Sequence, residues 1–281
     1  MDSVEIRPLR WGEIEAAAAL GAYAWPHRTP AERVADFGRR VDPEREALVA
    51  VEAGQIVSQA HIHAFGTWIE GERFSTGGFT NVVTVPERAR RGNASQLLRA
   101  SLAWMREELG HTLSTLYPTV FPLYNQLGWA PGEDALHLSG APAAFRPSPR
   151  LSVDSGGRLE RRLAEVADFD HLEPIYRRFA TPRVGYLDHP RWYWEDYVLR
   201  QRHGAEARWL VQWHGSDHQL AAYALYAFER GVGASSSESR LVVRDLVSLR
   251  PEGYQALLSF FSAHHLWGKV VVESGRDVAW P

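Results

Sequence analysis

The hydrophobic pattern of this chain switches between the two-residue period of strands and the 3.6-residue period of helices. In the first half, this pattern predicts one strand, two helices and then three antiparallel strands. Tight turns at Ala53-Gly54 and Glu70-Gly71 separate the three strands. The predicted segments are, in order, 4–9, 11–24, 31–40, 46–52, 56–68 and 73–85.

The last of these strands leads into a basic loop and an amphipathic helix. Pro86 marks the end of the strand, and the helix follows the loop. The apolar positions of the helix recur at the spacing of one helical face: 94, 97, 98, 102, 105 and 109. After the helix we expect a buried strand at 113–117, a short helix at 121–127 and a closing strand at 136–139.

The loop between this strand and helix has the composition of an anion-binding site. Arg88, Arg90 and Arg91 precede Gly92, which leads into the helix. The start of a helix presents unpaired backbone N–H groups and the positive end of the helix dipole, and both favour a phosphate. We therefore predict that the loop holds a diphosphate. The alternative is a common strand–loop–helix connection whose arginines form a solvated surface.

The second half repeats the pattern of the first half. A segment rich in proline and glycine, 141–157, is typical of a linker. Beyond it we predict a strand, two helices, three strands, a helix and a last strand: 158–163, 169–179, 191–201, 207–213, 220–229, 240–249, 251–263 and 268–273. The repetition indicates an internal duplication, so we predict a first domain at 1–142, a linker at 143–157 and a second domain at 158–281.

The second half lacks the basic loop. The equivalent segment, 247–254, has no basic Gly-x-Ala pattern, and Glu252 within it would repel a phosphate. We therefore expect the second unit to bind no cofactor and to shape the substrate cleft.

Composition narrows the classes of protein that are possible. The 281 residues are 45% hydrophobic, carry a net charge of -3 and include no cysteine. The absence of cysteine excludes disulfides, thiolate metal sites and a cysteine nucleophile. The charge balance gives no reason to expect a nucleic-acid partner. The N-terminus lacks the features of a signal peptide and no apolar run is long enough for a membrane helix, so we expect a soluble cytoplasmic protein.

Two motifs, in this strand order, resemble those of the GNAT N-acetyltransferases. The phosphate loop of that family has the pattern Gln/Arg-x-x-Gly-x-Gly/Ala, and here the register gives Ala89-Arg90-Arg91-Gly92-Asn93-Ala94, with alanine at the first position. The family motif Tyr-x-x-x-Gly-Phe/Trp is matched by Tyr124-Asn125-Gln126-Leu127-Gly128-Trp129. The resemblance implies an α/β fold (an α+β mixed sheet) built as two tandem GNAT-like units. Each unit would be a mostly antiparallel mixed sheet flanked by helices.

Two tandem units of which only the first has a usable loop resemble the Eis (enhanced intracellular survival) family. Further local similarities are Val83-Thr84-Val85, Leu123 to Trp129, and Arg244-Asp245-Leu246-Val247. Eis proteins normally continue into a sterol-carrier-like third domain, and this chain ends about where that domain would begin. We therefore expect either a two-domain relative or a truncated sequence.

The resemblance implies acetyl-CoA as co-substrate and no metal. It assigns Tyr124 as the general acid that protonates the leaving thiolate. The residues implied to contact the cofactor are Val83, Thr84, Val85, Arg90, Arg91, Gly92, Asn93, Ala94, Ser95 and Thr119, with a further contact near Val120. The residues on segments that flank the substrate side are Trp25, His27, Asp36, Phe37 and Trp68. Aromatic rings with one acid suit a polycationic amine, while core packing is the alternative for most of them.

The general base stays open at the level of sequence. His61 and His63 project from one face of a strand and either could serve. The alternatives are that this face is solvated, that the carboxylate of Pro281 acts, or that a water chain does. No third ligand at suitable spacing accompanies the two histidines, so the pair gives no case for a metal.

The expected activity is acetyl-CoA-dependent N-acetylation of an amine by direct transfer. The family places aminoglycosides first among the acceptors, followed by polyamines and lysine side chains. The partner is then a small-molecule or peptide amine, with no nucleic acid or membrane, and the chain can form a homo-oligomer. The competing interpretation is a non-catalytic acyl-CoA-binding or regulatory protein, because Ala89 departs from the loop pattern and the third domain is missing.

Overall fold

The computed structural model describes residues 4–132, 136–147, 156–199, 207–229 and 239–274. Its backbone contacts divide the chain into two compact units. The first unit comprises the chain up to Thr67 together with Glu72–Pro131, and the second comprises Trp68–Gly71 and the chain from Gly132 onward. Each unit has its own sheet, as the duplicated sequence pattern predicts.

The first unit is built on a sheet with the strand order β1-β2-β3-β4-β5. β1 pairs with β2, and β2 with β3, in antiparallel fashion, whereas β4 and β5 are parallel. The strands are β1 (Glu5–Pro8), β2 (Ala47–Glu52), β3 (Gln55–Ile69), β4 (Glu72–Thr84) and β5 (Leu113–Thr115).

Helices cover both faces of this sheet. The helices of the first unit are α1 (Ile14–Ala24), α2 (Pro30–Val34), α3 (Pro43–Glu46), α4 (Asn93–Glu107) and α5 (Phe121–Asn125), with 3-10 turns at Trp11–Glu13 and Pro86–Arg88. α2 begins at a capping box, in which the Thr29 hydroxyl accepts from the Glu32 N–H and the Glu32 carboxylate accepts from the Thr29 N–H. The prediction of a helix over 31–40 is wrong beyond its first turn, because Gly38 takes a left-handed φ of +77° and ends the helical path.

Two apolar cores lie on the two faces of the first sheet. On one face, Leu97, Leu98 and Met105 of α4 pack against Ala60 and Ile62 of β3. These α4 residues belong to the stripe that the sequence predicts. On the other face, Ala17 of α1 packs with Leu9, Val41, Ala47 and Val49. Because α1 presents alanine and glycine to the sheet, it lies close to β4.

β4 and β5 pair over only a short length. The paired residues are Thr76 with Leu113, Gly77 with Ser114 and Gly78 with Thr115. β5 ends there, whereas β4 continues to Thr84. The second half of β4 therefore has an edge that no strand among the described residues of this sheet covers.

The second unit repeats this architecture with a sheet of order β6-β12-β11-β10-β9-β7. β11 and β12 are parallel, while the other pairs are antiparallel. The strands are β6 (Leu136–Gly140), β7 (Arg158–Leu163), β8 (Val184–Asp188, outside this order), β9 (Trp209–His214), β10 (Leu220–Glu229), β11 (Arg240–Ser248) and β12 (Lys269–Ser274). The helices are α6 (Phe169–Ala180), α7 (Arg191–Tyr193) continued by a π-helix (Trp194–Val198), and α8 (Pro251–Ser262).

One strand was assigned to the wrong unit by the sequence pattern. The strand predicted at 136–139 exists, but it pairs antiparallel with β12 and so closes the second sheet rather than the first. Alternation of apolar residues identifies a strand without identifying its partner, which explains the error. The start of the predicted linker lies in a 3-10 turn, Pro142–Phe145, whose Phe145 is buried in the second core. Residues 148–155 of that linker lie outside the described residues.

Candidate active site

The basic loop ends in a backbone geometry that exposes the start of α4. Gly92 precedes the helix with a φ of +86°, a left-handed conformation that glycine adopts without strain. No side chain of the described residues caps the helix start, so the first N–H groups, on Asn93, Ala94 and Ser95, are available to an anion. Arg90 also has a left-handed φ, of +60°. The loop thus has the shape expected of a phosphate cradle.

The arginines of the loop differ in how far their charge is already balanced. Arg88 forms an ion pair with Glu52, at the end of β2. Arg91 lies 4.0 Å from the same carboxylate, and its side chain is 56% exposed. Arg90 is exposed. Arg90 and Arg91 are therefore better placed than Arg88 to attract a phosphate.

The side chain of Asn93 is unsuited to direct cofactor contact. It is buried, and its Nδ2 lies 3.5 Å from the carbonyl oxygen of Arg88, across the loop. Any contact of Asn93 with a phosphate would use its backbone N–H. The cofactor contact predicted for Asn93 can therefore involve only its backbone.

The end of β4 offers backbone groups along its open edge. The Val85 N–H donates to Val57 on β3 at 2.9 Å, so this amide is already occupied. The backbone groups of successive residues in a strand face opposite sides. The N–H and C=O of Thr84 therefore face the edge that β5 leaves uncovered. Thr84 is better placed than Val85 to pair with an extended ligand, while the Thr84 hydroxyl lies 2.7 Å from Ser58 Oγ.

Tyr124 lies on α5, the single helical turn that follows β5. It is only 6% exposed and meets the ring of Trp129 edge-on, at a centroid distance of 5.8 Å. Burial raises the pKa of its phenol above the ordinary value of 10.0, and a hydrogen bond from Thr119 opposes that rise. Tyr124 is therefore protonated at neutral pH. The same contact places the side chains of Thr119 and Tyr124 next to each other.

The residues predicted on the substrate side have partners of their own. Asp36 accepts from Arg28 at 2.5 Å and lies 3.3 Å from Arg40. Its negative charge is thus balanced by two buried guanidinium groups. Trp25 has the guanidinium of Arg33 5.9 Å from its ring centroid.

Phe37 and Trp68 also pack within the protein. Phe37 meets the imidazole of His61 edge-on at 5.5 Å. Trp68, which belongs to the second unit, packs with the apolar cluster that contains Leu172 and Tyr223. For these two residues, core packing is the arrangement that the structure shows.

The expectation of a solvated histidine face on β3 is wrong for His61, which is 7% exposed. Burial lowers the pKa of His61 to about 3, with additional lowering by His63 and Arg33. Burial lowers the pKa of His63 to about 4. Both imidazoles are therefore neutral at physiological pH. His61 Nε2 lies 3.2 Å from Asn81 Nδ2, a contact that the sequence reasoning missed.

Two models of one protein family match this chain. Residues 5–132 and residues 185–281 each match a model described as an acetyltransferase (GNAT) domain. The first match spans β1–β5, and the second spans β9–β12 of the second sheet without reaching β6 or β7.

The chain belongs to the GNAT acetyltransferases.

Solved structures with the same tandem arrangement support this assignment at the level of fold. A GCN5-related N-acetyltransferase from Anabaena variabilis superposes with a TM-score of 0.83 at 19% identity, over 99% of this chain and 67% of that one. Eis1 from Mycobacterium abscessus gives a TM-score of 0.77 at 20% identity, over 98% and 67%. A GCN5-related N-acetyltransferase from Kribbella flavida gives 0.73 at 20% identity, over 99% and 65%. The chain therefore spans about two thirds of the length of these relatives. A search of curated proteins found no match.

The second GNAT unit differs from the first at the loop before its helix. α8 begins at Pro251, which has no N–H, and Glu252 lies in its first turn. The Ser248 hydroxyl donates to the carbonyl oxygen of Arg250, and Arg250 pairs with Asp217 at 2.5 Å. These contacts use groups that would otherwise face an anion. The loop of the first unit is accordingly the better candidate for the phosphate site.

Among the residues that the structure describes, no cluster of histidine and carboxylate side chains is arranged to hold a metal ion. Within the same residues, no helix is both long and apolar enough to cross a membrane.

Proposed function

We propose that this chain transfers the acetyl group of acetyl-CoA to an amine, through the first GNAT unit. The observation that carries the proposal is that one unit combines three elements. They are the open edge of β4, the uncapped start of α4 behind Gly92, and the buried phenol of Tyr124. These are the elements needed to bind an extended cofactor arm, to anchor its diphosphate and to protonate its thiolate.

The diphosphate would be held mainly by the backbone. The N–H groups of Asn93, Ala94 and Ser95 and the dipole of α4 favour an anion, and this binding mode does not depend on the side chain at position 89. Arg90 and Arg91 would add charge from the exposed side of the loop. The departure of Ala89 from the family pattern is therefore compatible with binding.

The acetyl-pantetheine arm would pair with the backbone of β4 beyond its junction with β5. Thr84 presents its N–H and C=O to this edge, as argued above from the Val85–Val57 contact. Pairing of an extended chain with a free strand edge uses main-chain hydrogen bonds and fixes the direction of the arm. An N–H aimed at the thioester oxygen would also stabilise the charge that develops there during transfer.

The transfer itself is a direct attack. The neutral amine nitrogen forms a bond to the thioester carbon, the C–S bond breaks, and the sulfur leaves as a thiolate that takes the phenolic proton of Tyr124. A proton is lost from the amine nitrogen to solvent. The pKa of Tyr124 is raised by burial, so the phenol is fully protonated before the reaction and can act as the donor.

The acceptor class is the least constrained part of the proposal. We propose an aminoglycoside-like amine first, with polyamines and lysine side chains as alternatives. The pairing of Asp36 with Arg28 and Arg40 removes the acid that was expected to attract a polycation in the first unit. The acceptor panel should therefore include monoamines as well as polyamines.

A second candidate is a protein that binds acyl-CoA without catalysis. Two observations favour it: Ala89 in the loop, and a strongly lowered pKa at both His61 and His63, which makes each a weak base. This candidate predicts cofactor binding at the same loop with no transfer. The proposed cytoplasmic location and homo-oligomer fit either candidate.

Release of free thiol from acetyl-CoA in the presence of an amine panel, combined with calorimetric binding of CoA, separates the candidates. The proposed enzyme gives amine-dependent thiol release and an acetylated product that is heavier by one acetyl group. Binding without release for every amine class would favour the non-catalytic candidate. Absence of both binding and release would contradict both.

A further inference from the structure

Asn81 has a backbone conformation that is unusual inside a strand. It lies within β4, yet its φ is +53°. A residue other than glycine is strained in the left-handed region, although asparagine tolerates it better than most. A left-handed residue in a strand changes the local twist and redirects the residues that follow. The residues that follow here are Val82, Val83 and Thr84, which form the open edge.

His61 holds the side chain of Asn81 from the neighbouring strand. The Val85–Val57 hydrogen bond and the Ser58–Thr84 contact fix the register of β3 and β4 and bring His61 opposite Asn81. The two side chains meet at 3.2 Å between His61 Nε2 and Asn81 Nδ2. With the amide oriented as in the structure, Asn81 Nδ2 donates and His61 Nε2 accepts, which requires a neutral imidazole.

The surroundings of His61 keep it in this state. The ring is buried, and Phe37 meets it edge-on at 5.5 Å. The charged and titratable groups that face it are His63, Arg33 and Asp36, of which the first two disfavour a charged imidazole. The neutral acceptor form is therefore maintained over the whole range of ordinary assay pH.

We propose that His61 and Asn81 form a positioning pair: the neutral imidazole holds Asn81 in its left-handed conformation, and this conformation sets the direction of the β4 backbone that binds the cofactor arm. The inference rests on the proposed function. It assigns His61 a role other than that of the general base, because the Nε2 lone pair that would take up a proton already accepts a hydrogen bond from the Asn81 amide.

The neighbouring helix, α1, has a glycine where the Asn81 side chain lies against it. A Cβ atom added to Gly21 of α1 would lie 3.0 Å from Asn81 Oδ1 and 3.2 Å from Asn81 Nδ2. Glycine at this position therefore leaves room for the asparagine side chain, and a side chain there would displace it.

Four variants separate the loss of the hydrogen-bond acceptor at His61 from the loss of the left-handed conformation at Asn81. His61→Gln keeps an acceptor near the position of Nε2 but cannot titrate, whereas His61→Leu removes the acceptor. Asn81→Gly keeps access to the left-handed region without the side chain, whereas Asn81→Ala loses both. The double variant, His61→Leu with Asn81→Gly, completes a double-mutant cycle. Glycine adopts the left-handed conformation without a hydrogen bond from its side chain, so His61→Leu should have no further effect there. Circular dichroism and thermal unfolding show that each variant is folded.

The first readout is hydrogen exchange of the β4 peptide that contains Val82–Thr84, followed by mass spectrometry. The second is the Kd for CoA, which needs no turnover. We expect faster exchange and a Kd raised about fivefold to tenfold in His61→Leu and Asn81→Ala. His61→Gln should stay within about twofold of the parent protein, and His61→Leu should have little further effect in the Asn81→Gly background.

Several results would overturn the positioning role. One is unchanged exchange and unchanged CoA affinity in His61→Leu. Another is a loss of kcat in His61→Gln, with a change in the acidic limb of its pH profile, at unchanged CoA affinity; that result would make His61 the base. If the parent protein binds CoA but acetylates no amine, the proposed function fails, while exchange and affinity still decide on the pair. If the parent protein does not bind CoA, the pair positions nothing and the inference fails as well.

Discussion

Gln59 of β3 has a fully buried side-chain amide that forms no hydrogen bond within the described residues. Neither its Oε1 nor its Nε2 has a hydrogen-bond partner within the described part of the chain, and the residue is 0% exposed. Its partner across the strand pair is Val49, which belongs to the core under α1. A buried amide without partners costs about 1–3 kcal/mol.

Replacement of Gln59 by leucine should therefore stabilise the protein. We expect the free energy of unfolding to rise by about 1–2 kcal/mol in a denaturant titration, because the apolar side chain has a similar size and no unmet polar group. Thr76→Val is the matched control. Thr76 is 1% exposed and its hydroxyl lies 2.7 Å from that of Thr67, so this change should destabilise. A loss of stability in Gln59→Leu would show that a buried water or ligand satisfies the amide.

For single residues, the sequence predicted the members of the candidate site better than it predicted their burial and backbone conformation. Tyr124 and Gly92 could be found because their motifs have a fixed spacing. Asn81 could not, since a left-handed residue in a strand has no periodic signature; the only signal was an asparagine between Thr80 and Val82, in a β-branched segment. The burial of His61 was missed because alternation indicates which residues share a face, without indicating what covers that face.

At the scale of elements, the loop and α4 carry the proposed cofactor site through their backbone. Gly92 has a φ of +86°, and only Gln96 lies near the position that a Cβ would take, at 3.6 Å. An alanine there would be strained by its conformation rather than by crowding. The strain would alter the loop that presents the N–H groups of α4.

Gly92→Ala should lower the affinity for CoA and the stability together. We expect the Kd from calorimetry to rise about tenfold, and the free energy of unfolding to fall by about 1 kcal/mol. Gly54→Ala provides a control with the same conformational cost, because Gly54 has a φ of +77° in the β2–β3 turn and nothing within 4 Å of its Cβ position. An equal loss of CoA affinity in both variants would contradict a specific role for the loop.

The equivalent strand of the second unit carries a half-buried acid, Asp245. Asp245 on β11 accepts from the Tyr223 hydroxyl at 2.8 Å, and burial raises its pKa from 3.8 to about 6. The folded state therefore binds this proton more tightly than the unfolded state. As the pH rises from about 4 to about 6, ionisation of the Asp245 carboxyl lowers the free energy of unfolding. This decrease is complete above about pH 6.

Asp245→Asn should accordingly stabilise the protein at neutral pH. The amide oxygen still accepts from Tyr223, and no charge is buried. We expect the variant to exceed the parent protein by up to about 3 kcal/mol at pH 7.5, with the difference vanishing below about pH 4. Unfolding titrations of both proteins at several pH values measure it. A variant that is less stable at pH 7.5 would show that the Asp245 carboxylate is stabilised by its charge, for instance by Arg208.

The amphipathic stripe of α4 and the main strands could be predicted because these segments are long enough to show the helical period of 3.6 residues and the strand period of 2. The second predicted helix was too long, since the pattern of 31–40 does not show that Gly38 adopts a left-handed turn. β6 was assigned to the wrong sheet because the pairing of β6 with β12 joins residues that are distant in sequence. Partner choice between distant strands is decided by tertiary packing, not by local pattern.

Across the whole chain, the two units share an architecture and differ at the loop before the helix. Each sheet contains a parallel pair, β4–β5 in the first and β11–β12 in the second, and a helix follows the longer strand of each pair. Within the residues that the structure describes, a left-handed glycine precedes an uncapped helix start in the first unit alone. In the second, Pro251, Glu252 and the Arg250–Asp217 pair occupy the corresponding region.

This asymmetry predicts one CoA per chain. We expect calorimetric titration of the full chain to give a single class of sites with a stoichiometry near one. The variant Gly92→Ala should weaken this binding, and Arg250→Ala should leave it unchanged. Two CoA molecules per chain would contradict the assignment of the cofactor to the first unit alone.

We propose that the first unit is an acetyltransferase site in which Tyr124 is the proton donor. Steady-state thiol release by Tyr124→Phe, with the best acceptor from the amine panel, is the decisive measurement. We expect kcat to fall about 100-fold or more while the Kd for CoA changes less than about twofold, because the phenol acts on the leaving thiolate. Turnover equal to that of the parent protein would contradict the proposal.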